Sequence, residues 1–393
     1  MWVGVILLAC PSLAMAQGSE VDPIPEPVPP LDRPHDPFGL GVKKVSYSVG
    51  LKVSEIYDNN VFLAADDRVS DYVTVFLLTA SARHEYEGGE ARVSYRARDR
   101  VFARQGEFDG VEHFLTASGT LEPRPFRFEA GLEWRELKDP FDILQVTGHF
   151  DTHYDREYLK ATVDYNRFDV EVTAGLAHFS IDDDTLDRGD YERWEFGVMG
   201  LAEAWAQVAL LAEFAIHGTD YDESEFSDFT FMRVTTGARG SLTPKTRTEV
   251  RVGIGHAEPD GGGVFPVEAV TEVVARASLT WEISEKQELA LDLHREPVES
   301  VETGLAVAEG FRLAYRQEFA EHWTARIMAS WDRREESDGS GDRRGLQARG
   351  HVRWTSLDNF YADLGILVRI RESDDAERDY ENLRISFGLG VQW

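Results

Sequence analysis

The chain has 393 residues and a formal net charge of −30, with 41 Lys plus Arg against 71 Asp plus Glu. Phosphate recognition needs a basic surface, so this balance excludes a nucleic-acid-binding protein. A single cysteine, Cys10, excludes a disulfide framework and a cysteine-built zinc site. The mean hydropathy of −0.35 is that of an ordinary soluble protein. The pattern of the predicted strands, described below, contradicts a soluble fold.

The first sixteen residues predict an export signal. Residues 1–16 carry no charge and end in AMA at positions 14–16, and their apolar run is too short to span a bilayer as a helix. The pattern is typical of a signal peptide removed after residue 16. An alternative takes residues 7–10, LLAC, as a lipoprotein box with an acylated Cys10.

Residues 17–41 form a proline-rich segment that holds seven of the fifteen prolines of the chain. Proline at this density favours an extended, solvated backbone. The segment is therefore predicted to be a periplasmic linker that precedes a domain covering residues 42–393.

Residues 42–393 alternate apolar and polar side chains in segments of ten to fourteen residues, which is typical of β-strands. About eighteen segments begin near residues 45, 71, 90, 110, 125, 153, 168, 190, 206, 229, 245, 266, 284, 303, 322, 343, 359 and 380, with sixteen as the alternative count. Short and long connections alternate between them. The apolar face of the last segment consists of Leu383, Ile385, Phe387, Leu389, Val391 and Trp393.

An even number of strands with alternating short and long connections predicts an all-β fold, a transmembrane antiparallel up-and-down β-barrel. We expect short periplasmic turns, long acidic outer loops and a periplasmic N-terminus in the outer membrane of a Gram-negative bacterium. Aromatic residues near the short turns predict one membrane-interface girdle: Trp205, Trp281, Trp323, Trp354 and Trp393. A second girdle is predicted beside the long loops: Phe108, Phe141, Tyr191, Trp194, Phe226, Phe229, Trp331 and Tyr380.

Residues 54–62, SEIYDNNVF, and the following strand that begins with SD at residues 70–71 carry a family resemblance. With the C-terminal aromatic residue, they resemble the outer-membrane β-barrel porin family associated with exopolysaccharide biosynthesis and export. The resemblance implies a conduit for secreted polysaccharide that works with a periplasmic polysaccharide-export protein. The C-terminal strand also resembles the signal that the barrel-assembly machinery reads.

Two rows of basic residues are the candidate site. The rows share a parity with the polar face of their strands and consist of Arg92, Arg96, Arg98, Arg100 and Arg104, and of Arg349, Arg353, Arg369 and Arg371 with His351. Arginine is costly on a lipid face, so both rows are predicted to line the lumen. One hypothesis is a positive track that guides an anionic polysaccharide. The alternative is pairing with lumen carboxylates such as Glu129, Glu133, Glu171, Glu268, Glu272 and Asp363.

The sequence predicts an outer-membrane pore or conduit for exopolysaccharide export. One alternative is a diffusion porin for small solutes or oligosaccharides, and another is an outer-membrane enzyme or adhesion scaffold. Catalytic fingerprints are absent from the sequence, so we predict no enzyme, cofactor or bound metal. The acidic loops predict contact with outer-membrane lipid and lipopolysaccharide.

Overall fold

This computed structural model describes residues 45–66, 68–138, 151–182, 190–205, 207–222, 228–259, 269–300, 304–336, 341–356, 359–374 and 379–393. The predicted signal peptide and the predicted linker lie outside these ranges. Within the described ranges, no helix is both long enough and apolar enough to cross a membrane.

The described chain forms eighteen antiparallel strands and one 3₁₀ turn at Gly106–Phe108. The predicted strand count is confirmed, and the predicted starts differ from the observed ones by at most four residues, the largest difference being at β12. The strands are β1 Val45–Asp58, β2 Asp71–Tyr86, β3 Gly89–Phe102, β4 Gly110–Leu121, β5 Phe126–Leu137, β6 Asp151–Tyr165, β7 Phe168–Asp182, β8 Tyr191–Trp205, β9 Val208–Tyr221, β10 Phe229–Thr243, β11 Thr246–Pro259, β12 Val270–Ser284, β13 Gln287–Ser300, β14 Gly304–Ala320, β15 Trp323–Glu336, β16 Asp342–Thr355, β17 Phe360–Ser373 and β18 Tyr380–Gln392.

The sheet closes on itself. Each strand pairs with its neighbours along the chain, and β1 pairs with β18 from Gly50↔Gln392 to Asp58↔Arg384. A closed sheet leaves no edge strand, so the backbone groups of the wall are satisfied by strand pairing. This is the condition that hydrocarbon imposes on a membrane-spanning sheet.

Apolar side chains point outward and polar side chains point inward, as the alternation predicts. On β17, Leu364 and Ile366 are 56% and 48% exposed on the outer face, whereas Asp363 and Arg369 are buried on the inner face. An outward apolar surface around a polar interior is the arrangement of a transmembrane barrel. The polar inner faces explain why the mean hydropathy resembles that of a soluble protein.

A cluster of aromatic and aliphatic side chains covers part of the inner wall at the strand ends that carry the long connections. It includes Phe114, Phe179, Tyr191 and Phe229, which are at most 7% exposed. The predicted place of Tyr191 and Phe229 in an outward girdle is therefore wrong. Tyr191 shares its parity with the inward-facing Arg193, so the strand turns both side chains into the barrel.

The remaining residues of the second predicted girdle divide between the faces. Phe108 packs against Phe62 and Phe102 inside the barrel, so its predicted place in the girdle is also wrong. Trp194 is 39% exposed on the outer face of β8. Trp331 stacks on the outward-facing Phe311, with 6.3 Å between ring centroids. Two further members of the predicted girdle, Phe141 and Phe226, lie outside the described residues.

Candidate functional site

A cavity of about 460 Å³ lies inside the barrel against β13–β18 and β1–β3. These nine strands are consecutive around the closed sheet, so they form one continuous half of the wall. Two acidic side chains line the cavity, Asp58 and Glu288. Seven basic side chains line it as well: Lys52, Arg98, Arg100, Arg316, Arg326, Arg349 and Arg384.

Two of these cations share one buried carboxylate. Arg98 lies opposite Glu112 in the register of β3 and β4, and its Nε donates to Glu112. Arg100 Nη2 donates to the other oxygen of Glu112 at 2.7 Å. The Glu112 side chain is fully buried, which fixes both guanidinium groups against the wall. Because two guanidiniums share one carboxylate, this cluster of three side chains carries a net positive charge.

A second shared carboxylate belongs to Asp363 on β17. Its oxygens lie 2.8 Å from Lys52 Nζ, 2.8 Å from Arg353 Nε and 3.0 Å from His351 Nε2. Lys52 reaches Asp363 across β18, where Gly388 leaves room for it. A Cβ at Gly388 would stand 2.5 Å from Lys52 Cε. The two full cations outnumber the carboxylate, so this cluster is also net positive.

The other half of the wall pairs its charges more evenly. Glu213 accepts from Arg233 at 3.0 Å and from Arg251 at 2.7 Å, and Arg251 also donates to Glu249. On β6, Lys160 lies 2.7 Å from Glu171 of β7. The alternative prediction, that lumen charges pair with one another, describes this half of the barrel.

The structure divides the first predicted row. Arg98 and Arg100 line the cavity, whereas Arg96 lies over the Phe114 ring, with its guanidinium carbon 4.7 Å from the ring centroid. Arg92 lies at the short-turn end of β3, with a side chain that is 55% exposed.

Arg104 does not lie on the barrel wall, and its predicted place in the row is wrong. Strand β3 ends at Phe102, and Arg104 lies in the connection that follows. There its backbone N–H donates to Asp71 Oδ2 at 3.0 Å. The alternation of inward and outward side chains ends where the strand ends. It therefore does not predict the direction of a side chain two residues beyond that point.

The second predicted row is also divided. Arg349 lines the cavity beside His351, and Arg353 holds Asp363 and lies over the Tyr361 ring at 4.5 Å from its centroid. Arg369 and Arg371 face inward but are only 5% and 7% exposed, and neither lines the cavity. Arg371 lies over the ring of Tyr380, which therefore also faces inward instead of joining the predicted outer girdle.

Of the carboxylates predicted to pair with these rows, Asp363 pairs with Arg353 and His351 of the second row. The others that the structure describes have different partners. Glu129 accepts from Tyr158, Glu133 from Arg135 and Glu272 from Arg295. Glu268 lies outside the described residues.

Four cavity-lining cations were not singled out from the sequence: Lys52, Arg316, Arg326 and Arg384. A signal was present in each strand. Lys52, for example, lies between Leu51 and Val53, which are 48% and 46% exposed on the outer face. A single basic residue on the polar face of a strand predicts a lumen-facing side chain as well as a row of arginines does.

The five tryptophans of the first predicted girdle lie at the short-turn end of the barrel. Trp205 and Trp393 are 67% and 62% exposed, and Trp323 pairs in register with Trp354. Trp281 is 43% exposed near the end of β12. Their position at a membrane interface stays a prediction.

Within the described ranges, no three His, Cys, Asp or Glu side chains come together as metal ligands.

Comparison with known proteins gives one family and a set of barrels. A sequence model of the family described as "Putative beta-barrel porin 2" matches residues 34–393. No curated protein matches the chain. The structure is similar to Pseudomonas aeruginosa OccK2 (OpdF), at 8% identity over 88% of this chain and 98% of that chain with a TM-score of 0.49.

Two further solved structures are similar to a comparable degree. Pseudomonas aeruginosa OpdK with vanillate has 8% identity over 88% of this chain and 99% of that chain, with a TM-score of 0.48. Acinetobacter baumannii OccAB3 has 9% identity over 90% of this chain and 100% of that chain, with a TM-score of 0.48. At these values the likeness carries no information about the solute.

Proposed function

We propose, from the premise that the chain belongs to the β-barrel porin 2 family and is an outer-membrane porin, that its lumen conducts small anionic solutes. The observation that supports this proposal is the basic half of the inner wall. There, seven cations and two carboxylates line one cavity.

The arrangement of the charges explains how the wall favours anions. In the clusters around Glu112 and Asp363, each carboxylate holds at least two cations, so pairing does not cancel the positive charge. A lumen with low-dielectric walls and charge of one sign concentrates ions of the other sign. Much of the negative charge of the whole chain lies in the connections and the strand ends beside them, such as residues 219–228, which carry −5.

The cavity has room for a small solute. Its volume of about 460 Å³ lies within the range of roughly 300–1,000 Å³ that is typical of small-molecule sites. We therefore propose conduction of small solutes. Export of exopolysaccharide with a periplasmic partner stays a prediction, as does the contact with lipopolysaccharide.

The test is ion selectivity in planar bilayers. Under a sodium chloride gradient, the reversal potential of the wild-type pore should show preference for chloride. In the variant with Arg98→Gln and Arg100→Gln, the chloride preference should fall about two- to threefold for each charge removed. A unit charge roughly 7 Å from an ion changes its energy by about 0.6 kcal/mol in water.

Arg344→Gln is the matched control, because this arginine lies on the outer face of β16 with a side chain that is 56% exposed. The control should leave the reversal potential unchanged. A wild-type pore that prefers sodium, or an equal shift in the control, would contradict the proposal. A deletion strain that loses surface polysaccharide while solute uptake is unchanged would favour export instead.

A further inference from the structure

An apolar stripe crosses the basic half of the inner wall. Val73, Val75 and Leu77 occupy successive inward positions of β2, and all three line the cavity. Inward positions of a water-filled barrel are generally polar, because they face solvent. Three consecutive apolar residues there need a partner.

The connection after β1 supplies that partner for one end of the stripe. Val61 packs against Val73, Val75 and Phe102 and is 8% exposed, so this connection folds into the barrel. The Asn60 side chain holds its bend, donating to Ala64 O at 2.8 Å and accepting from Ala64 N at 3.0 Å.

Leu77 extends the stripe beyond the reach of the connection. It is half-buried and lines the cavity, but it is not part of the cluster that Val61 completes. Packing of the connection therefore accounts for Val73 and Val75 and leaves Leu77 unexplained.

The register places cations on both sides of Leu77. Lys52 of β1 and Arg98 of β3 are its direct partners across the two strand pairs. Arg100 is the partner of Val75, one inward position further along. Directly opposed side chains in antiparallel strands begin about 4.5–5.5 Å apart. Leu77 thus lies between the strand positions of two cations, with the position of a third cation one inward residue further along.

We propose that Leu77, Lys52, Arg98 and Arg100 form a binding site for monoanions with an apolar, ring-sized body, such as aryl carboxylates. The ring lies on Leu77, and the carboxylate reaches Arg98 or Lys52. This inference rests on the proposed function, because it names the class of anion that the basic lumen selects.

The experiment measures chloride current through single pores while benzoate or acetate is added. Benzoate and acetate carry the same charged group, so a difference between them reports the apolar contact alone. Benzoate should interrupt the current at concentrations about tenfold lower than acetate does. Leu77→Thr should make the benzoate block about three- to tenfold weaker and leave the acetate effect unchanged, because part of a leucine contact is removed.

Met328→Thr is the matched control, since Met328 is an inward apolar residue of β15 on another part of the same cavity. This variant should keep the benzoate block of the wild type. Heat-modifiable migration on SDS gels verifies that each variant is folded.

The outcomes separate this inference from the proposed function. A chloride-selective pore on which benzoate and acetate act alike would overturn the aryl-anion site and leave the anion pore standing. Equal loss of benzoate block in Leu77→Thr and Met328→Thr would overturn the placement of the site on β2. A pore without chloride preference would overturn the proposed function itself.

Discussion

Glu112 is the carboxylate whose removal tests the sign of the lumen charge. It is fully buried and holds Arg98 and Arg100, so Glu112→Gln keeps the shape and one acceptor oxygen but removes the negative charge. We expect the chloride preference of the pore to rise about two- to threefold, by the same Coulomb argument that lowers it when the arginines are neutralised. Reversal potentials of Glu112→Gln and of the Arg98→Gln and Arg100→Gln variant, measured side by side, should shift in opposite directions.

The same substitution should also lower the stability of the barrel, since two guanidiniums then lie close together without a charged partner on β4. Glu318→Gln is the control for stability. This carboxylate lies 2.6 Å from Arg316, but its side chain is 40% exposed, so its substitution should change stability less. If Glu112→Gln moved the reversal potential toward sodium, the positive character of the cluster would be disproved.

At the scale of the elements, a buried side-chain network joins the first and last strands. Asp58 accepts from Asn60 N at 3.0 Å, from Asn382 Nδ2 at 2.6 Å and from Arg384 Nε at 2.6 Å. Asn59 adds a side-chain acceptor for Leu383 N at 2.6 Å. The YDNN motif at residues 57–60, on which the family resemblance partly rests, thus connects β1 to β18. This pairing closes the sheet and is called the seam of the barrel here.

Asp58→Ala should therefore weaken the seam. Asp58 is 3% exposed, and the loss of a buried acceptor that serves three donors should lower the free energy of unfolding by about 2–4 kcal/mol. The measurement is the temperature at which the folded band disappears on SDS gels. Asp66→Ala, which changes an exposed acidic residue in the connection after β1, should not change that temperature. Equal melting of both variants would show that the network does not hold the seam.

The strands were predictable from the sequence because their alternation and turns are local. The same alternation could have placed Tyr191 on the inner face, since Arg193 and Glu195 follow at its parity. The inward-folded connection was not predictable, because Val61 has no periodic neighbours that assign it to a face. The reach of Lys52 to Asp363 was also hidden, because it depends on the β1–β18 closure and on the space at Gly388.

At the scale of the whole molecule, charge and volume are distributed unequally. Residues 181–190, 219–228 and 372–379 carry −4, −5 and −4, whereas cations predominate around the cavity. The total charge therefore does not give the sign of the charges that line the cavity. The aromatic cluster on β4–β14 and the connection that carries Val61 both occupy space inside the wall. An eighteen-stranded ring alone would enclose a wider passage.

This reduced passage predicts a low size limit for uncharged solutes. Ethylene glycol oligomers of monosaccharide size should enter the lumen and lower its conductance in planar bilayers, because they displace mobile ions from it. Long poly(ethylene glycol) chains should be excluded and leave the conductance of the pore close to its value without polymer. Val61→Gly, which removes the side chain that packs on β2, should shift the limit toward larger oligomers. If long chains lowered the wild-type conductance as strongly as short ones, the lumen would be wide enough for a polysaccharide, and export would become the better reading.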